Sequence, residues 1–144
     1  MARLRRELGG TLVLDAEGLV KFSNGHPEAR SRVQHAYRRG AEIVTAASTL
    51  AEVLRGGRGD ARTHHALARV TVMPLGREQG RAAGELLGRV GLSGHRCALD
   101  ALLAVVALAQ PRPVVLLTSD TADMARLTEE PDRPAAERIV IVRV

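Results

Sequence analysis

The sequence predicts an α/β domain: three layers, with helices on both faces of a mainly parallel, five-stranded sheet. Three observations carry this. Short β-branched apolar runs alternate with helical patterns along the whole chain, without repeat or linker. The run at residues 113–117 is apolar on both alternations, the mark of a strand buried on both faces. Aromatic residues are nearly absent (one Phe, one Tyr, no Trp), so the core must be built from Ala, Val, Leu and Ile. That composition suits helices packed on a sheet better than an all-β barrel. A chain of 144 residues corresponds to one domain, 1–144, and can bury a core without covalent staples.

The elements follow in order. Residues 1–10 are a polar lead rich in arginine (Arg3, Arg5, Arg6), a segment expected to be mobile or to touch a partner. Residues 11–15 read as the first strand, an apolar run ending in Asp15, and residues 16–22 as a short helix. The cluster 23–27 is a turn. Residues 28–39 form an amphipathic helix, with Val33, Ala36 and Tyr37 expected inward, arginines outward and Gly40 ending it. A second strand at 42–45 leads into a helix at 46–54 that carries Glu52. The Gly-rich stretch 55–60 is a flexible loop, followed by a helix at 61–69 and a third strand at 70–73 that Pro74 stops. Another helix spans 76–90. Residues 97–110 form a helix that is apolar almost all round, and so expected to be buried on nearly every side, with Asp100 as its one charge. The fourth strand precedes Ser119 and Asp120. A helix at 121–130 and a loop at 131–134 lead to a fifth strand at 138–143.

Composition excludes several chemistries. The formal charge is +5, and Lys21 is the only lysine. It has no phosphate-loop context, and the same scarcity argues against a Schiff-base enzyme. Arginine-rich charge is compatible with a phosphate-bearing partner such as nucleic acid, although base-stacking platforms would need aromatic rings. Cys97 is alone, which excludes an intramolecular disulfide and a Cys-rich metal site; a buried free thiol is expected. No apolar stretch reads as a signal peptide or a membrane span, so a cytoplasmic protein without a membrane partner is expected. The five histidines lack metal-ligand spacing, though His95 lies near Asp100 in sequence. Ser48, Ser93 and Ser119 lack a nucleophile elbow.

Acids stand at four unusual places. Asp15 ends strand one, Glu52 lies among small and apolar neighbours, Asp100 sits on the apolar helix, and Asp120 with Asp123 follows strand four. If strands one and four are neighbours, Asp15 and Asp120 share a crevice at the carboxyl edge of the sheet, where open α/β folds place their sites. Carboxylates gathered there repel unless protonated or bridged by a cation. An all-oxygen set favours Mg²⁺ or Mn²⁺, and metal-assisted phosphodiester hydrolysis is the natural chemistry. Bland roles stand beside this one. Asp15 and Asp120 suit helix N-caps, Glu52 with Thr49 suits a capping box, and Asp100 could pair with an arginine.

The stretches Leu12-Val13-Leu14-Asp15-Ala16, Leu50-Ala51-Glu52-Val53-Leu54-Arg55-Gly56, Leu99-Asp100-Ala101-Leu102-Leu103-Ala104 and Leu117-Thr118-Ser119-Asp120 together resemble the PIN-domain ribonucleases, in particular the VapC toxins of type II toxin–antitoxin pairs. Each motif is short; in order and separation they span nearly the whole chain. The resemblance implies an α/β/α sandwich and a Mg²⁺- or Mn²⁺-dependent endoribonuclease acting on RNA. It also implies a homodimer and neutralisation by a VapB-type antitoxin. It carries metal ligation onto Asp15, Glu52, Asp100 and Asp120, with Asp123 as a further candidate, and supporting roles onto Thr118 and Ser119. Ala16-Glu17 departs from the Thr-Asn pair of many relatives, which leaves Glu17 pointing into or away from the site.

The expectation is therefore an endoribonuclease in which Asp15, Asp100 and Asp120 hold the metal, Glu52 completes the site or orients water, and Arg55 and Arg58 bind phosphates. The alternative is a catalytically silent PIN-like module that binds RNA or a protein. A phospho-acceptor receiver domain would need an acidic pair after strand one and a late lysine. A haloacid-dehalogenase-like phosphatase would need Asp-x-Asp after strand one. The chain has neither pattern.

Overall fold

The structure, a computed structural model, describes residues 9–144. The N-terminal lead up to residue 8, with Arg3, Arg5 and Arg6, lies outside the described residues. Five strands form one sheet: β1 Thr11–Leu14, β2 Glu42–Ala46, β3 Thr71–Met73, β4 Val114–Thr118 and β5 Val140–Arg143. Their order is β3-β2-β1-β4-β5 and every neighbouring pair is parallel. Among the described residues the α-helices are α1 Ala16–Ser23, α2 Pro27–Arg38, α3 Ala47–Val53, α4 Ala61–Leu67, α5 Arg77–Val90, α6 Gly94–Leu108 and α7 Thr121–Leu127.

Alternation along the strands separates two cores. Val13, Val44, Val114 and Leu116 face α5, α6 and α7, where they meet Leu86, Ala104, Met124 and Leu127. Leu12, Leu14, Ile43 and Leu117 face the other way, towards Leu19 of α1 and Val33 and Ala36 of α2. β1 and β4 are buried on both faces, as their continuous apolar runs predict. Leu116 and Leu117 are fully buried on opposite faces, each side chain contributing about 2 kcal/mol of burial. β1 starts tight against β4. Gly10 has φ +78°, and a Cβ there would lie 2.1 Å from the Pro113 carbonyl oxygen, so only glycine fits. The next residue, Thr11, donates its N–H to that same oxygen at 2.9 Å.

Strand order reverses direction between β1 and β4. That is the topological switch point, where the loops leaving the carboxyl ends of the two strands part to opposite faces and open a crevice.

Three details depart from the sequence reading. Tyr37 is 61% exposed rather than inward. The buried stripe of α2 runs through Ala29, Val33 and Ala36, and Tyr37 falls at its border in the last turn. The apolar helix begins at Gly94, three residues early, and its first turns expose Ala98 and Leu99, the latter 41%; Ala101, Leu103, Ala104, Val106 and Ala107 are buried, while Leu102, Val105 and Leu108 are partly exposed. α7 stops at Leu127 rather than Glu130. Glu130 is drawn away to Arg112, which bonds both its carboxylate oxygens at 2.6 and 2.7 Å.

Candidate metal centre

The switch-point crevice collects the acids. Asp15 directly follows β1 and is the N-cap of α1, its Oδ1 accepting from the Gly18 N–H at 2.7 Å. Its Oδ2 accepts from the Ser119 N–H at 2.9 Å, across from the end of β4. Asp15 is thus both a cap and a cleft residue: it is buried, and each oxygen is oriented by a backbone donor. Gly18 allows the close seating of α1, since a Cβ there would meet Asp15 Oδ1 at 3.3 Å and the Leu117 carbonyl oxygen at 3.4 Å.

Asp120 caps α7 through Oδ1, which accepts from the Asp123 N–H at 3.2 Å. Its own N–H donates to Thr118 Oγ1 at 3.0 Å. Thr118 is buried and sets the turn that carries Asp120 out of the sheet. Ser119 acts through its backbone, by the bond to Asp15; its side chain is exposed. Asp100 approaches from α6. One carboxylate oxygen each of Asp100, Asp120 and Asp123 lie within 4.8 Å of one another.

The electrostatics follow from this crowding. The Asp100 carboxyl is pushed up to about 6, first by burial and then by the charges of Asp120, Asp15 and Asp123. Among the described residues no ion pair includes Asp100, so the pairing with an arginine is absent there. Glu52 is also raised above the usual carboxylate range, by partial burial of its carboxyl, then by Asp100 and Asp15. Its residue surface is exposed overall, so it forms the outer wall of the cluster. Thr49 lies inside α3 rather than at its N-cap Ala46, which removes the capping-box role for Glu52. Ser48, one turn before Glu52 on the same helical face, has a buried hydroxyl without a hydrogen-bond partner.

Such an all-oxygen set fits a hard divalent cation. Asp100 carries uncompensated negative charge among three other acids, which is what a cation would neutralise. Asp100, Asp120 and Asp123 could hold one directly, with Asp15 and Glu52 close enough to shift Asp100 or be shifted by it.

The other sequence candidates lie around this centre. Arg55 is occupied at the end of α3, where its guanidinium donates to the carbonyls of Ala51, Glu52 and Leu54. Arg58 is exposed in the following loop. Glu17 points along α1 to Lys21, 3.9 Å away, and His95 is exposed in the first turn of α6.

Two residues at the site, Asp60 and Arg143, escape the sequence reading, and Cys97, buried and free as expected, adds a contact that it does not foresee. Asp60 is buried and accepts from the N–H groups of Arg55 (2.9 Å) and Gly56 (2.7 Å), which folds the loop back on itself. Its signal was an acid closing a Gly-rich turn. Cys97 Sγ donates weakly to Asp123 Oδ2 at 3.9 Å; the helical spacing to Asp100 was the signal. Arg143, at the end of β5, donates to the Ser119 carbonyl at 3.3 Å and to Thr121 Oγ1 at 2.9 Å. Only the β4–β5 register, which pairs Thr118 with Arg143, brings it to this edge.

No family model and no curated protein matches the chain. Solved structures do. A chain of the crystal structure of VapBC2 from Rickettsia felis, bound to a DNA fragment from its promoter, superposes with a TM-score of 0.62 at 19% identity, covering 93% of this chain and 98% of that one. A chain of a toxin–antitoxin complex from Klebsiella pneumoniae superposes with a TM-score of 0.60 at 19% identity, covering 79% of this chain and 90% of that one. The likeness runs over most of the chain and shows a shared fold, the α/β architecture with a parallel five-stranded sheet that the sequence predicts.

Proposed function

We propose that this chain is a VapC-type toxin, a Mg²⁺- or Mn²⁺-dependent endoribonuclease that hydrolyses RNA phosphodiester bonds. The observation that carries this reading is the convergence of Asp15, Glu52, Asp100, Asp120 and Asp123 at the switch point, with Asp100 pushed up to about 6 by burial and by the charges of its neighbours. The shared fold with two toxin–antitoxin structures supports it. The silent-module alternative has no observation of its own in favour.

In this account Asp100, Asp120 and Asp123 would hold the cation, with Asp15 beside them. A divalent cation there would lower the pKa of a bound water and stabilise charge on a phosphoryl oxygen. Asp15 and Asp120 come to this task already oriented, because the Gly18, Ser119 and Asp123 N–H groups fix their oxygens. Thr118 holds the Asp120 backbone. Glu52, whose raised pKa makes it a better proton acceptor than an ordinary carboxylate, would orient the attacking water and take its proton. Arg58 offers charge to the RNA backbone from the loop that Asp60 shapes; Arg55 would do so only by releasing the end of α3.

The partners of the reading are an RNA substrate, a VapB-type antitoxin and a second copy of the chain. Among the described residues no single helix is long and apolar enough to cross a membrane, and the proposed compartment is the cytoplasm. The test is cleavage of a panel of structured and unstructured RNAs by the purified protein, in Mn²⁺ or Mg²⁺ and in EDTA. Cutting that appears with the cation and disappears with EDTA is expected. A protein that leaves every RNA intact while binding it unchanged in EDTA would instead be the silent module.

A further inference from the structure

The cleft gathers five acids and must hold a polyanion against them. The first arginine expected to bind phosphate, Arg55, has its guanidinium spent on three carbonyls at the end of α3. Arg112 and Arg138 are likewise bonded elsewhere, to Glu130 and to the carbonyls of Arg133 and Pro131. Arg143 differs in place and in geometry. The parallel register sets it opposite Thr118, so its side chain leaves the sheet at the same edge as Asp120. Its two terminal nitrogens donate, one to the Ser119 carbonyl and the other to Thr121 Oγ1, the two residues that flank Asp120. The side chain is otherwise exposed. A guanidinium held by two of its five N–H donors, with the rest facing solvent, is pre-arranged for a phosphate, because part of the rotamer entropy is already spent before the ligand arrives.

We propose that Arg143 binds a phosphate of the RNA strand at the rim of the acidic cleft. This rests on the nuclease reading above. It adds a basic side chain at the rim of the cleft: a backbone contact that carries no base information, and so holds the strand in register without selecting sequence. The contact adds attraction for a strand that must lie beside a cluster of carboxylates. It also makes the β5 end part of the site, although that strand contributes no acid.

The experiment measures kcat/KM for cleavage of a short single-stranded RNA in Mn²⁺ against KCl concentration. It compares the parent, Arg143→Gln, Arg143→Lys and, as a control at the opposite edge of the sheet, Arg38→Gln. Mn²⁺ binding is followed in parallel by calorimetry. Arg143→Gln is expected to lower kcat/KM about three- to tenfold at low salt, mainly through KM. It should also flatten the logarithmic salt slope by about 0.7, the loss of one phosphate contact on a single strand. Arg143→Lys should keep the parent's slope, since charge sets it, and recover KM in part, since an ammonium lacks the planar fork that can hold Ser119, Thr121 and a phosphate together. Mn²⁺ affinity should stay within about twofold in both, and Arg38→Gln should match the parent.

An unchanged salt slope in Arg143→Gln, in a parent that cuts, overturns the proposal and leaves the nuclease reading intact. Loss of Mn²⁺ binding in that variant also overturns it, because Arg143 would then only brace the turn that carries Asp120. A parent that cuts no RNA removes the nuclease reading and this contact with it.

Discussion

The Ser119 N–H donates to Asp15 Oδ2 at 2.9 Å, and this bond ties the carboxyl end of β4 to the start of α1. The other Asp15 oxygen takes the Gly18 N–H. One carboxylate therefore closes the switch point while facing the cleft, and its structural and functional roles cannot be separated by removing it. Asp15→Ala should cost about 1–3 kcal/mol in urea unfolding, because the buried Gly18 N–H and the partly buried Ser119 N–H lose their acceptor. Asp15→Asn should cost less, since an amide keeps one acceptor oxygen. Equal stability of all three proteins would show that the bonds to Gly18 and Ser119 carry no weight.

Asp100 behaves in the opposite way. No protein donor or cation among the described residues stabilises its charge, and its pKa stands above its ordinary value of 3.8, at about 6. A carboxyl raised on folding is more protonated in the folded than in the unfolded chain between those values. It therefore destabilises the folded state progressively as pH rises from about 4 to 6, and this loss persists above. In EDTA, Asp100→Asn should melt higher than the parent at pH 7.5. The gain should be on the order of 1 kcal/mol once solvent screening is allowed for, and the two curves should converge near pH 4. Adding Mn²⁺ should raise the melting temperature of the parent only. A variant that melts lower than the parent at pH 7.5 contradicts this.

Glu130 titrates with the other sign. Hydrogen bonding to Arg112, outweighing burial, holds its carboxyl below the usual range. The pair is mostly buried, with side-chain exposures of 13% and 16%. Arg112 also donates to the Leu108 and Glu137 carbonyls, joining the end of α6 to the stretch before β5. A depressed folded pKa gives stability that is present above the unfolded value and lost as pH falls through the folded one. Glu130→Gln should cost about 2–4 kcal/mol at pH 7, because it leaves the Arg112 charge buried without its partner. The difference from the parent should shrink below about pH 4, which urea melts across pH will read directly.

Asp60 holds the Arg55–Gly59 loop through the Arg55 and Gly56 N–H groups, and these bonds lower its pKa. Asp60→Ala should release the loop and make the bonds after Arg55 and Arg58 several-fold faster to cut with trypsin. Asp60→Asn should fall between. Unchanged cleavage rates would mean that the loop is held by other contacts.

The parts of the fold that were legible in the sequence are those whose cause is local. β1 and β4 announced themselves because both faces of each strand must be apolar, and the acids after them stood out against that background. Asp100 was conspicuous for the same reason. What escaped was set by contacts distant in sequence. The place of Arg143 depends on how β5 registers with β4, and the engagement of Arg55 depends on where α3 ends. Tyr37 has the residue type of a core position but the helical phase of a border one. Gly94, His95 and Arg96 look like loop, yet they form the first turn of α6, beginning after Ser93. On sequence alone the cap and cleft roles of Asp15 and Asp120 stand side by side as alternatives; the structure gives each residue both geometries at once.

The measurement that bears most directly on the central claim is calorimetric titration of Mn²⁺ into the purified protein at pH 7.5, beside Asp100→Asn. The account predicts saturable binding to the parent and its loss in a variant whose circular dichroism and melting show an intact fold. Undiminished binding in Asp100→Asn, or no binding to the parent, would contradict the claim that these acids converge to hold a cation.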